Sequence, residues 1–380
     1  MRGSFVSGHP HGSGRINDTY VVIRQAGQDE LRYLLQRINP LVFKQPELVM
    51  QNILCITHHL RRVLEERGVP EVERRCLQLI PTTDGRLFYR DPSGDCWRSY
   101  RFIGRARTWD TLENEEQAYA AAKCFGEFQY CLRDLPAERL RETIPDFHHT
   151  PKHYQRFEQA CAQDPCGRAA GAQAEIEFAR QNHALGNILQ ALRDRGEVPL
   201  RITHNDTKLN NVLFNTETCQ ALCVVDLDTV MPGLSLYDFG DLVRSCTNRA
   251  GEEALDLSDV RMHRPFFEAL AEGYLAGTEG MMNQTELDHM AIAGPCIAYE
   301  LGLRFLTDHL VGDVYFKTQK ETQNLVRARV QFKLVESMLL QHEAMKRAVA
   351  RIQKKCAFKG TSINSKCPPS QGREDIGQSP

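Results

Sequence analysis

One stretch limits what this chain can become. Arg201-Ile-Thr-His-Asn-Asp-Thr-Lys-Leu-Asn-Asn-Val-Leu-Phe214 is followed closely by Ala221-Leu-Cys-Val-Val-Asp-Leu-Asp-Thr-Val230. Short apolar runs bounded by turn residues suit buried strands, so the segment reads as strand, loop, strand, turn, strand. His204, Asp206, Lys208 and Asn211 fall in the loop, while Asp226 and Asp228 close the last run. A β-hairpin therefore carries a carboxylate, an amide and a second carboxylate at its ends. A lone His-x-Asp arises often by chance, and Asp and Asn are ordinary turn residues that bond their own backbone. Here the acidic and amide positions recur at fixed offsets, each fed by an apolar run. Pro232-Gly-Leu-Ser-Leu-Tyr-Asp-Phe-Gly-Asp241 then follows.

These residue types suit phosphoryl transfer to a hydroxyl, which needs a carboxylate beside the nucleophile and an Asn with an Asp to hold Mg²⁺ on a triphosphate. His-x-Asp-x-Lys-x-x-Asn also has the spacing of a kinase catalytic loop. The segment resembles the aminoglycoside phosphotransferase and choline kinase superfamily, whose members carry His-x-Asp-x-x-x-x-Asn, a strand ending in Asp, and a Tyr-Asp before a helix. The fuller strings His204-Asn-Asp-Thr-Lys-Leu-Asn-Asn211 and Val225-Asp-Leu-Asp-Thr-Val-Met-Pro-Gly233 are most similar to the N-acetylhexosamine 1-kinase branch. Gly14-Arg-Ile-Asn-Asp-Thr-Tyr20 and Arg304-Phe-Leu-Thr-Asp-His-Leu-Val-Gly-Asp-Val-Tyr-Phe316 extend the likeness over most of residues 1–345.

The resemblance implies an α+β, two-lobed, protein-kinase-like fold. A small antiparallel nucleotide-binding lobe would span residues 1–103, and a larger, mainly helical catalytic and substrate lobe 104–353. Early strands and late helices are compatible with that division. The Lys-, Ser-, Pro- and Gly-rich tail 354–380 is expected to be disordered. The implied reaction carries the γ-phosphate of ATP, with Mg²⁺, to the anomeric hydroxyl of N-acetylglucosamine or N-acetylgalactosamine. Choline, homoserine and aminoglycosides are alternative acceptors, and an inactive kinase-like binding protein is a different class of outcome. A protein kinase fits poorly: only eleven residues separate Asp226 from Asp238, too few for an activation segment, and Leu-Asp rather than Phe-Gly follows Asp226.

Each role has an ordinary alternative. Asp206 would orient the acceptor hydroxyl and take its proton. Asn211 and Asp226 would hold Mg²⁺, which prefers oxygen ligands. Lys208, two residues past Asp206, can deliver its ammonium to the γ-phosphate or be a solvated loop charge. His204 would bond loop backbone, and Asp238 would clamp the same loop rather than touch substrate. Asp228, two strand positions beyond Asp226, would share its face and meet Mg²⁺ or a sugar hydroxyl. Arg304 and Asp308 are four apart on a helix, so they are an ion pair or, with Arg244, sugar-binding residues.

For the nucleotide, Gly12, Ser13 and Gly14 lie in a glycine-rich turn able to approach phosphates, close to the start of the chain. That position leaves little room ahead of the turn for the helix and strand that family members place there. The following strand, Leu31 to Ile38, lacks the kinase lysine and offers Arg37 instead, with Glu47 as its possible partner. Pro46 opens a helix to about Arg67, with Gly68 past its end. Strands are expected over Cys76–Tyr89 and Asp95–Ile103, the second leading into the inter-lobe connector, where Phe102 would meet an adenine. Helices are expected at Glu113–Leu132, Tyr154–Phe157, Ala172–Arg195, Phe239–Cys246, Arg264–Ala276, Glu286–Leu310 and Gln319–Gln353.

Composition excludes several classes. A formal charge of −2 gives no basic footprint for nucleic acid and no excess for a membrane surface. No apolar run approaches the ~20 residues of a membrane span, and the first residues lack a signal-peptide core. Thirteen irregularly spaced cysteines complete no zinc pattern and suit reduced, buried thiols of a cytoplasmic protein.

Overall fold

The computed structural model describes the backbone of residues 1–12 and 16–364. The fold is α+β, with a small antiparallel sheet at the N-terminal end and a helical bulk behind it. β1 (Ser4–Pro10), β2 (Asp18–Ala26) and β3 (Asp29–Ile38) form a meander. β4 (Tyr89–Arg90) and β5 (Cys96–Arg101) complete a sheet of order β1-β2-β3-β5-β4. Between β3 and β4 lie α1 (Pro46–Glu66) and the single turn α2 (Val72–Arg75). Pro46 starts α1 where a missing N–H costs nothing, and Val49, Ile53, Ile56, Leu60 and Val63 line its buried stripe.

No strand spans Cys76–Tyr89. Leu79 makes one isolated bridge to Tyr100, and the chain then turns back on itself. The Thr82 hydroxyl accepts from the Arg86 N–H at 2.9 Å, and the Gly85 N–H reaches the Thr82 carbonyl at 3.0 Å. These local bonds use groups that a ladder would need.

β6 (Ala106–Arg107) leads from the connector into the larger region. α3 (Glu115–Cys131), α4 (Thr150–Gln163), α5 (Gln173–Gln181) and α6 (Leu185–Asp194) precede β7 (Arg201–Thr203), the hairpin β8 (Val212–Asn215) and β9 (Ala221–Val224), and β10 (Met231–Gly233). β7 leaves the hairpin and pairs with β10, while β6 adds to the hairpin's free edge. α7 (Ser235–Cys246), α8 (Arg264–Gly277), α9 (Gln284–Val311), α10 (Gln323–Leu340) and α11 (His342–Asn364) complete the chain. α9 is the axis, packed by α4, α6, α7, α10 and α11. A capping box between Asn283 and Glu286 fixes its start, and Gly312, at φ 101°, its end. Gly240 lets α7 approach α9 closely, since a Cβ there would lie 2.6 Å from the Ala293 carbonyl oxygen.

Two expected helices are each divided in two. Ala172–Arg195 breaks at Asn182, whose carbonyl accepts from Leu185 N–H. Gln319–Gln353 breaks at Gln341, whose side chain donates to the Met262 carbonyl at 3.1 Å. α11 continues past residue 353, where the tail was expected to begin, and 365–380 lie outside the described residues. Among the described residues no helix is long and apolar enough to cross a membrane.

Candidate active site

The loop between β7 and β8 is built by its own polar atoms. Asp238, one turn into α7 and fully buried, accepts from the backbone N–H of His204 at 2.9 Å and of Asn205 at 2.7 Å. Gln129 also donates to it, at 2.5 Å, and Thr207 donates its hydroxyl to the Asp238 carbonyl at 2.6 Å. Asp238 thus clamps the loop, as the sequence implies. His204 donates from Nε2 to the Val225 carbonyl at 2.9 Å, tying the loop to the end of β9. Its Nδ1 faces the Asp206 N–H at 3.3 Å, so the partners assign the neutral Nε2–H tautomer.

Asn205 holds a left-handed backbone, φ 65°, which asparagine tolerates better than most residues. Its Nδ2 donates to the Thr229 carbonyl at 2.8 Å and its Oδ1 accepts from the Thr203 hydroxyl at 2.9 Å. Gly233 is required beside it: a Cβ there would sit 2.2 Å from Thr203 Oγ1 and 2.8 Å from Asn205 Oδ1.

Asp206 follows this frame with its carboxylate partly exposed. Lys208 Nζ lies 2.9 Å from its Oδ1. Burial pushes the Asp206 carboxyl up, but the Lys208 ammonium, with Arg244 beyond it, brings it below the usual range. Asn211 donates from Nδ2 to the Asp206 carbonyl at 2.8 Å and to its Oδ2 at 3.3 Å. That bond fixes the amide's orientation and leaves Oδ1 as an acceptor.

Asp226, two residues past the end of β9, holds a left-handed backbone at φ 59° and is exposed. Protein walls on its other sides, then the carboxylates of Asp228 and Asp206, push its carboxyl up to about 6. Water at the open face screens part of that repulsion. A carboxylate raised by like charge is short of a cation, and a divalent ion with oxygen ligands would supply it. Among the described residues no group of three or more His, Cys, Asp or Glu side chains forms a cage. The Asp226 carboxylate and the Asn211 amide oxygen are oxygen donors of the kind that could hold an ion that keeps waters and substrate oxygens, as Mg²⁺ does.

Asp228 does not share that face. The strand ends at Val224 and residues Leu227–Thr229 form a 3₁₀ turn, so strand alternation fails. Asp228 is 2% exposed and bound by both guanidinium nitrogens of Arg98, one at 3.0 Å, with Asn17 Nδ2 at 2.7 Å. Its oxygens are committed to joining the N-terminal sheet to the hairpin. They are not available to Mg²⁺ or a sugar.

Arg37 is likewise corrected. It lies on the other face of the sheet, paired with Asp18 at 2.5 Å and Asp95 at 3.0 Å, while Glu47 pairs with Arg90. Arg98, opposite Gln36 in the register, is the cation turned inward. A period-two reading of Cys96-Trp-Arg-Ser-Tyr100 puts Arg98 with the buried Cys96 and Tyr100, a signal the sequence reasoning passed over.

Gly12, at φ 80° with open space around it, sits in the turn joining β1 and β2. Ser13 and Gly14 lie outside the described residues. Phe102 follows β5 in the connector and meets His11 of the turn edge-on at 5.7 Å, while its own N–H is bonded to the Arg32 carbonyl.

Asp308 and Arg304 do not pair. Asp308 accepts from the N–H groups of Val314, Tyr315 and Phe316 at 2.8–2.9 Å and from Asn324 at 2.9 Å, so it shapes a loop. Arg304 stacks on Phe147, Tyr315 and Phe316, with Glu300 4.0 Å away, and makes no hydrogen bond among the described residues. Arg244 is 4% exposed and held by Asp241 at 2.7 Å and Glu252 at 3.3 Å. It contributes charge to the loop rather than a free donor fork.

Sequence reasoning also missed His148 and Glu300. Glu300 stands inside the apolar run Ile297-Ala-Tyr-Glu-Leu-Gly-Leu303, where a buried carboxylate demands a partner.

Known proteins share this fold. A choline/ethanolamine kinase family protein from Mesorhizobium loti superposes with a TM-score of 0.52 at 16% identity, covering 90% of this chain and 92% of its own. Choline kinase from Cryptosporidium parvum Iowa II gives 0.51 at 15% identity, over 95% and 92%. An aminoglycoside phosphotransferase from Alicyclobacillus acidocaldarius gives 0.50 at 13%, over 92% of each chain. At such identities the likeness establishes the kinase-like fold. The sequence itself matches the family described as "Phosphotransferase enzyme family" across residues 7–282, and with the loop and hairpin arranged as above, the chain belongs to that family.

Proposed function

We propose that this chain transfers the γ-phosphate of ATP to a hydroxyl of a small sugar, the anomeric hydroxyl of an N-acetylhexosamine being the best candidate. Residues 1–103 would cover the nucleotide, and 104–353 would carry the catalytic loop and the acceptor. One observation carries the reading: Asp206 projects from a fully bonded loop with Lys208 2.9 Å away, beside the Asn211 amide and within the field of Asp226.

Asp206 would accept a hydrogen bond from the acceptor hydroxyl, orient its oxygen toward the γ-phosphorus, and take the proton as the new P–O bond forms and ADP leaves. Its lowered proton affinity keeps it ionised at neutral pH. Lys208, 2.9 Å from Asp206, would meet an incoming phosphate oxygen. Mg²⁺ held by Asn211 and Asp226 would neutralise charge on the phosphates.

Arg304 supports a neutral acceptor over the cationic choline or aminoglycosides. Among the described residues its guanidinium makes no hydrogen bond, with Glu300 4.0 Å away and aromatic rings as its other neighbours. Carbonyl and hydroxyl oxygens, such as those of an acetylated sugar, match that fork.

Phosphate transfer from Mg-ATP to N-acetylglucosamine, N-acetylgalactosamine, choline and an aminoglycoside tests the reading, with Asp206→Asn in parallel. Turnover on the acetylated hexosamines that disappears in the variant is the expected result. Turnover confined to a cation would overturn the acceptor assignment and leave the phosphotransferase chemistry standing.

A further inference from the structure

The carbonyl of Asn205, immediately before Asp206, is the one polar group of that residue not yet accounted for. His148, from the segment before α4, places Nε2 3.2 Å from it. The other ring nitrogen, Nδ1, lies 2.8 Å from Oε1 of Glu300 on α9. Thr150 donates its hydroxyl to the second Glu300 oxygen at 2.6 Å. Glu300 is 1% exposed and the His148 side chain 7%. A carbonyl and an ionised carboxylate only accept, so both ring nitrogens must carry protons.

From this geometry we propose that His148 is an imidazolium strut, charged by Glu300, that holds the Asn205 carbonyl and thereby fixes the direction of Asp206. His148 is a positioning residue, since it reaches the catalytic carboxylate only through the loop. The inference rests on the reading of Asp206 as the proton acceptor.

The surroundings agree. Burial alone would push the His148 ring down, but Glu300 outweighs it and holds the ring above the ordinary histidine value, with Asp241 of α7 adding to the effect and Arg304 of α9 opposing it. Glu300 is brought down to about 2: burial would raise it, and His148, His153 of α4 and Arg304 reverse that. Tyr237 of α7 covers the ring face at 4.7 Å, and Phe147 meets its edge at 4.8 Å. A left-handed backbone bonded at its N–H, carbonyl and both amide atoms is over-determined, as a strained catalytic loop must be.

Losing the proton removes one donor. Neutral His148 cannot donate to Glu300 and Asn205 together, so the strut loosens as pH rises through its folded pKa. Glu300→Gln leaves the shape and removes the charge that raises His148, which brings the loosening to lower pH.

The test is the pH profile of kcat for wild type, Glu300→Gln and His148→Gln, together with ¹⁵N imidazole spectra and hydrogen exchange of residues 203–208. In wild type at neutral pH, His148 is expected to show two N–H protons. In Glu300→Gln the alkaline limb of kcat is expected to move about one unit or more toward acid, with KM for acceptor little changed. His148→Gln is expected to lower kcat about 10- to 100-fold, as a misaimed catalytic group does, and to speed exchange in 203–208. A neutral His148 in wild type, or a Glu300→Gln profile that superposes on wild type, overturns the strut. Should wild type transfer no phosphate to any acceptor, the spectra and exchange still decide the strut, and only the functional reading falls.

Discussion

The two faces of the N-terminal sheet each carry an arginine bound to carboxylates, with different consequences. On the outer face Arg37 joins Asp18 and Asp95 with its side chain 39% exposed. On the inner face, one strand over, Arg98 joins Asp228 with side chains 1% and 3% exposed. Exposed pairs gain little, because water and salt already satisfy both charges. A sealed pair has given up its hydration, so each partner depends on the other. The outer pair ties neighbouring strands, whereas the inner one ties the sheet to the hairpin that carries Asp226. Alternation along a strand decides which arginine is which.

The hairpin beyond the inner face is where the largest effect belongs. Asp206→Asn should cut phosphate transfer about 10²- to 10⁴-fold while leaving the thermal transition in place, read by turnover alongside calorimetry. Residual activity near wild type would detach the inner face from catalysis altogether. Arg98→Met comes next: stranding the Asp228 carboxylate should cost about 3–5 kcal/mol, measured from denaturant midpoints. A cost under about 1 kcal/mol would make the two faces equivalent and break the comparison.

A subtler difference lies in pH. The Asp226 carboxyl is raised above its unfolded value to about 6, so its ionisation weakens the fold as pH climbs from about 4 through 6. A divalent ion needs the ionised form, so the thermal shift produced by Mg²⁺ should grow across that window and level off above it, with apparent affinity rising up to about tenfold per pH unit. Scanning fluorimetry at pH 5, 6 and 7 measures this, and Asp226→Asn should flatten the trend. A pH-independent shift in wild type would place the ion elsewhere. The smallest effect is on the outer face, where Arg37→Gln should change stability by about 1 kcal/mol or less and leave nucleotide binding unchanged. Loss of nucleotide binding in that variant would restore the role first expected of Arg37.

Local spacing made the hairpin legible. Asp206, Lys208 and Asn211 lie within six consecutive residues, and the loop bends through their own backbone bonds, so sequence distance and spatial distance nearly coincide. Asp238 was legible for a similar reason, since the turn into α7 returns the chain beside the loop. The Asp228 expectation failed within the same segment because a left-handed residue and a 3₁₀ turn replaced the last strand positions. The Cys76–Tyr89 strand failed because Thr82 and Gly85 close a turn before a ladder can form.

The sequence by itself determined the strand-loop-hairpin segment, the kinase-like class and the identity of the loop's acidic and amide groups. Those properties follow from short-range periodicity and turn chemistry. Tertiary structure decided the pairing of Arg98 with Asp228, 130 residues apart, and of His148 with Glu300, 152 apart. It also set Arg304 among aromatic rings, 4.0 Å from Glu300, while committing Arg244 to Asp241 and Glu252. A charge states that it needs a partner once buried, but which partner it meets depends on how helices and sheet pack, and packing is a property of the whole chain.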